Sequence, residues 1–197
     1  MTRAQFPPKL TILITAFLLH GSPSLADGTD TADRLEEGRQ ALAPLQAGLQ
    51  SALKAGLAKG SVEAVDACRV QAPEIARDAA RAASTGGRPD TAAVELGRTS
   101  HRLRNPANAP REWMQPLLAD YLAQPGDRAP RAVDLGDGRW GYVQPIFVQP
   151  LCLTCHGISI AEPLKARIAE LYPEDRAVGF SDGDFRGLFW AEFSPPR

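Results

Sequence analysis

Three residues of types that do chemistry stand within one short stretch, "VQPLCLTCHG": Cys152, Cys155 and His156. Two thiols three positions apart can add to the two vinyl groups of one porphyrin, while the next residue offers an imidazole to its iron. C-x-x-C-H is accordingly the attachment sequence of c-type haem. It predicts one covalently bound haem c, with His156 as a metal ligand. Other chemistries use parts of the same pattern. A redox-active C-x-x-C belongs at a βα junction in a parallel sheet, and the chain lacks that rhythm. A structural zinc site needs four ligands, and the usual second close-spaced pair is missing. A disulfide between Cys152 and Cys155 would close a loop too short to stabilise much.

If thioether bonds take Cys152 and Cys155, Cys68 is left over from a total of three cysteines. An odd cysteine in an oxidising compartment forms an intermolecular disulfide, stays a buried inert thiol, or binds a metal. A haem iron held by His156 has a sixth position to fill. Cys68 is one candidate; His101, giving bis-His iron, and Met114, giving a His/Met pair, are the others. The haem's two propionates call for cationic partners. Arg102 and Arg104 are the candidates, with solvated surface arginines as the competing reading.

Other motifs are missing. The chain has no P-loop, no G-x-S-x-G and no zincin signature. "SDGDFRG" begins like a calcium loop, but Arg186 and Phe193 fall where oxygen ligands belong, so it reads as a turn. Glu36 with Glu37, and Glu174 with Asp175, read as solvated faces rather than acid/base pairs. A haem enzyme such as a peroxidase would want a second histidine and an acid near the motif, and neither is evident. No enzymatic activity is expected.

The elements that must position these residues are readable in outline. Leu35, Leu42, Leu45, Leu49, Leu53 and Leu57 recur at helical spacing from Thr31 to Lys59, with Pro44 expected to kink or divide the helix. Gly60 and Ser61 read as a stop and a new N-cap, starting a second helix from Val62 to Ala83 that carries Cys68. "STGGRPD" is a loop. "VELGRTSHRLR" alternates as a strand with Thr99, His101 and Leu103 on one face and Arg98, Ser100, Arg102 and Arg104 on the other. Asn108 and Pro110 start a helix through about Ala123, burying Trp113, Leu117, Leu118 and Tyr121. "LGDGRW" turns "RAVDL" back on "GYVQPIFV" as a hairpin that leads to the cysteines. A short helix near Leu164 to Leu171 and a last strand, Gly187 to Phe193, complete the chain. Helices first and antiparallel strands after, with no βαβ rhythm, predict an α+β domain.

Compartment follows from the start of the chain. Arg3 and Lys9, the apolar run Leu10 to Leu19, and small residues at Ser24 and Ala26 have the order of a secretory leader cut before Asp27. The run is too short for a confident membrane span. The expectation is a leader of residues 1–26 and one exported, soluble, periplasmic domain of residues 27–197, helical over 27–85, with sheet and haem attachment over 86–197. No stable membrane insertion is expected after cleavage. The formal charge is −1 before the leader's two cations are removed. With no basic patch, nucleic acid is not an expected partner.

With these residues in view, "AVDACRVQAP", "GRTSHRLRNPANAP", "PLCLTCHG" and "YPEDRAVGFSDGDFRG", in that order, resemble the single-haem c-type cytochrome domain family with a PAS-like core. Its members are standalone periplasmic proteins and input domains of bacterial sensor kinases. The resemblance covers nearly all of the mature chain. It implies N-terminal helices packed on a PAS-like antiparallel sheet, His156 as one axial ligand and a cysteine of an early helix, here Cys68, as the other. It also implies a redox or diatomic-gas (NO/CO) sensing role exercised through an unidentified redox or signalling partner. A periplasmic electron-transfer cytochrome is the alternative, and His101 remains the alternative sixth ligand.

Overall fold

The computed structural model describes residues 26–84 and 93–195. The expected leader, but for Ala26, and the expected loop beyond Ser84 lie outside the described residues. Among the described residues no helix is long and apolar enough to cross a membrane.

The chain opens with a helical hairpin, α1 (Ala26–Leu57) and α2 (Ser61–Ser84). The leucine stripe works as its spacing demands: Leu42 and Leu45 are fully buried, and Leu35 and Leu49 pack beside them. Each fully buried leucine contributes roughly 1.5–3 kcal/mol. Pro44 does not divide α1, nor does Pro73 divide α2; both helices continue through their prolines. Tertiary packing therefore outweighs the one backbone hydrogen bond each proline removes.

Four strands follow in one antiparallel sheet of order β1-β4-β3-β2: β1 (Ala93–Thr99), β2 (Arg131–Gly136), β3 (Arg139–Phe147) and β4 (Phe185–Ser194). The β2–β3 hairpin turns at Asp137, in the left-handed region with φ 54°. Strand alternation divides the core in two. Val94, Leu96, Tyr142, Ala191 and Phe193 face α1 and α2. Val143, Leu188 and Phe185 face α3 (Gln115–Ala123), through Leu117, Leu118 and Tyr121. The molecule is thus an α+β fold with helices on both faces of an antiparallel sheet.

Two expectations need correction. Strand β1 ends at Thr99, and residues 100–105 form bends rather than a continuing strand. Ser100 ends the alternation, because its Oγ donates to Arg186 O at 2.6 Å and accepts from Arg102 N at 3.0 Å. The chain comes this close to β4 because the facing residue is Gly187, at φ 149°, where a Cβ would strike Thr99 O. The helix expected from Asn108 is likewise two 3₁₀ turns, Pro106–Asn108 and Glu112–Met114, before α3 begins. Trp113 still lies against the α3 core, with its Nε1 donating to Glu192 Oε2 at 2.9 Å.

Candidate haem site

The cysteines follow directly from β3. Val148 ties this segment to the turn before β4, its N–H donating to Asp184 O and its carbonyl accepting from Gly183 N, both at 2.9 Å. Pro150 then opens a 3₁₀ turn, Pro150–Cys152, which runs into the one-turn helix α4 (Leu153–His156). Pro fits the first turn because its missing N–H is unsatisfied there anyway. The helix stops at Gly157, whose N–H bonds Leu153 O at 2.9 Å; a Cβ there would lie 2.6 Å from the same oxygen. The 3₁₀ turn therefore ends on Cys152, and the helical turn it runs into carries Cys155 and His156. Cys152 packs beside Val148, Ala177 and Phe180. Cys155 packs beside Val65 of α2 and Leu164 and Ile168 of α5 (Glu162–Leu171).

The segment 175–180 clasps this turn. His156 Nδ1 lies 2.6 Å from Ala177 O, and since a carbonyl only accepts, Nδ1 carries the proton and Nε2 keeps its lone pair. Phe180 N donates to His156 O and Gly179 N to Gly157 O, both at 2.9 Å. Burial, aided by the positive charges of Arg186 and Arg104, holds the imidazole pKa down to about 3. Neutral His156 with one nitrogen fixed and the other free is what a metal-ligating histidine requires.

Cys68 lies on α2 one turn beyond Val65, which packs against the Cys155 cluster. Burial pushes the Cys155 thiol up, and the nearby Cys68 and Cys152 add to that shift while Arg104 opposes it. Cys68 and Cys155 are thus electrostatic neighbours although far apart in sequence. All three cysteines are free thiols.

His101 is placed differently. Its ring stacks on Phe185 with centroids 5.7 Å apart and meets the edge of Phe180 at 5.9 Å. It lines a cleft of about 280 Å³ with Tyr121 and Asp184. Burial lowers its pKa, with Arg186 and Arg102 adding to the effect, and its Nδ1 is buried without a partner among the described residues. Phe180 touches both His101 and His156, the latter at 6.5 Å. Met114 is fully buried at the turn before α3.

Arg102 and Arg104 both bind the clasp. Arg102 donates to Arg176 O at 3.2 Å and to Val178 O, and its guanidinium lies 4.3 Å over Phe180. Arg104 donates to Cys155 O at 2.5 Å and pairs with Asp175 at 3.1 Å. That pair is largely buried, with side chains 14% and 8% exposed. Asp175 therefore departs from the expected solvated face, and its Oδ1 also accepts from Ala177 N at 2.8 Å. Asp175, Ala177, Phe180 and Arg186 are site residues the sequence motifs did not single out individually. "SDGDFRG" is a turn only over its first four residues, in which Asp184 Oδ2 accepts from Ser181 N at 2.7 Å; Phe185, Arg186 and Gly187 already belong to β4.

The residues present fit a haem c. Cys152 and Cys155 lie on successive turns that end at His156, a neutral imidazole keeps Nε2 free, and the Cys68 thiol on α2 is an electrostatic neighbour of Cys155. The buried Nε of Arg104 has no partner among the described residues, a polar atom such a group could satisfy. Among the described residues, by contrast, no three or more His, Cys, Asp or Glu side chains gather as a metal cluster of the zinc type.

A family model described as "Tll0287-like: Tll0287" matches residues 27–194. No curated protein matches the chain. Among solved structures, the crystal structure of the cyanobacterial heme-protein Tll0287 is similar at 24% identity and a TM-score of 0.51, covering 88% of this chain and 97% of that one. At that identity the likeness is one of fold.

Proposed function

The chain belongs to the Tll0287-like family, and on that premise we propose that it is an exported protein carrying a single haem c, attached through Cys152 and Cys155 and ligated by His156 and Cys68. The observation that carries the reading is the C-x-x-C-H turn with His156 Nδ1 bonded to Ala177 O, which leaves Nε2 for iron. The similarity to a solved heme-protein supports it, with the β1-β4-β3-β2 sheet as the PAS-like core. When bound, such a haem supplies a one-electron couple and, where a ligand is released, a coordination position for a diatomic gas.

The chain's own residues divide the labour. The Ala177 carbonyl holds His156 in one tautomer and orientation. Arg104, through Cys155 O and Asp175, binds the attachment turn to the clasp. Cys68, on a separate helix, is the ligand that can be given up without disturbing that turn. A thiolate favours ferric iron and lowers the potential. The protein therefore acts as a redox or NO/CO sensor with an unidentified signalling or redox partner, and not as an enzyme.

An electron-carrier role is the second reading, favoured by three exposed apolar residues around the attachment turn: Leu151, Ile158 and Val178, the second 81% exposed. Such a rim suits transient docking of a redox partner. Absorption and EPR spectra of ferric and ferrous protein, with CO added to the latter, separate the two. Loss of the thiolate on reduction with CO binding supports sensing. Retention of both ligands with no CO binding contradicts it and leaves the carrier.

A further inference from the structure

The contacts that seat α2 differ along its length. Its later turns, through Ile75, Ala76 and Ala79, pack in the core between the helical hairpin and the sheet. The earlier part that bears Cys68 is held elsewhere: Val65 packs on Leu164 and Ile168 of α5, in the cluster that also holds Cys155. Helix α5 is thus a common seat for the attachment turn and for the helix of the proposed sixth ligand. Beside that apolar contact, Arg167 of α5 grips Asp66 of α2, with Nε donating to Oδ1 at 2.9 Å and Nη2 lying 2.8 Å from the same oxygen. Among the described residues, every other ion pair of α1 and α2 stays within one helix.

An apolar contact such as that of Val65 is non-directional and tolerates rotation of a helix about its axis. A charged, hydrogen-bonded contact at the next residue, about 100° further around the helix, resists that rotation. Cys68, three residues after Val65, shares the Val65 face. The rotation that Asp66 resists is therefore the one that would present or withdraw Cys68. We propose that the Asp66–Arg167 ion pair is a latch that keeps Cys68 seated at the iron and so sets how readily the thiolate is given up, a proposal that rests on the haem c reading with Cys68 as ligand. The pair is partly exposed, with side chains 42% and 31% exposed, and such a pair shifts an equilibrium only about two- to fivefold. It tunes release and does not block it.

The test titrates ferric, haem-loaded protein with imidazole, which competes with Cys68 for the iron, and follows loss of the thiolate absorption. The variants are Asp66→Asn, Arg167→Gln, the two combined, and Arg167→Lys, with Glu170→Gln as control; Glu170 accepts from the same arginine at 2.6 Å but belongs to α5 itself. Each single neutral variant is expected to bind imidazole about two- to fivefold more tightly than the parent. The double should bind no more tightly than either single, Arg167→Lys should fall in between, and the control should match the parent. A charge acting on the thiolate through space gives a different pattern: losing the carboxylate would tighten Cys68, and losing the guanidinium would loosen it. Opposite shifts in the two single variants, additive shifts in the double, or parent-like affinity in both overturn the latch while the haem reading stands. A ferric spectrum unchanged by Cys68→Ser overturns Cys68 ligation, and a parent without thioether-bound haem overturns the haem reading; the latch falls with either.

Discussion

His156 Nδ1 is 2.6 Å from the carbonyl oxygen of Ala177, a residue on a segment that returns to the attachment turn only after α5. The contact fixes which nitrogen is free, so the orientation of the proposed axial ligand is set by a distant stretch of chain. Whatever loosens residues 175–180 should loosen the ligand as well.

Asp175 is the first place to test that coupling. Its carboxylate pairs with Arg104 and accepts from Ala177 N. Asp175→Asn leaves a largely buried guanidinium without its carboxylate, and a loss of about 3 kcal/mol in folding stability is expected. Thermal unfolding and the yield of covalently attached haem should both fall. Replacing both partners, Arg104→Met with Asp175→Leu, should recover part of the stability. A single variant as stable as the parent would remove the pair from the account.

The sixth ligand is tested by a pair of substitutions. Cys68→Ser should convert the ferric spectrum from a low-spin thiolate type to a water-bound or histidine-bound form and raise the midpoint potential, leaving attachment at Cys152 and Cys155 intact. His101→Ala should do much less, because that ring is held between Phe185 and Phe180. If His101→Ala loses the parent spectrum and Cys68→Ser keeps it, the iron is bis-His and a releasable thiolate is not part of the mechanism.

Which parts of this were legible in sequence follows from how local each signal is. Cys152, Cys155 and His156 lie within five residues, so the expectation of haem attachment needs no knowledge of the fold. The leucine stripe of α1 and the β2–β3 hairpin are also short-range patterns, and both form. Arg186 and Asp175 carried no such signal. Their partners, Ser100 and Arg104, lie far along the chain, and an arginine or aspartate at a turn looks like a surface residue until the fold encloses it. The end of β1 was hidden for the same reason: the alternation through His101 is genuine, but Ser100 and Gly187 meet across the sheet and stop it.

Alkaline titration tests the packing on the other face of the sheet. Tyr121 is 1% exposed and donates its hydroxyl to Ala129 O at 2.5 Å. Burial pushes its pKa up to about 12, above the value of about 10 expected for an unfolded chain. The folded state thus keeps a proton that the unfolded state loses. Its contribution is full below about pH 10 and is lost as pH rises toward about 12, at up to ~1.4 kcal/mol per pH unit. Denaturation curves across that window should fall less steeply for Tyr121→Phe than for the parent, despite a starting cost of about 1 kcal/mol for the lost hydrogen bond. Tyr142 and Tyr172 titrate in both proteins and cancel in the comparison. Equal slopes would show that Tyr121 ionises as readily folded as unfolded.

The central claim is that one haem is joined to the polypeptide at Cys152 and Cys155, and its most direct measurement is haem retention after denaturation. The protein is produced in a host with c-type haem attachment, then extracted with acid acetone, run on a denaturing gel and stained for haem, with its intact mass recorded. Stain that stays with the polypeptide, a mass increased by one haem, and loss of both in the Cys152→Ala, Cys155→Ala variant are the predicted result. Haem that passes entirely into the acetone, or an intact mass equal to that of the bare chain, would contradict it.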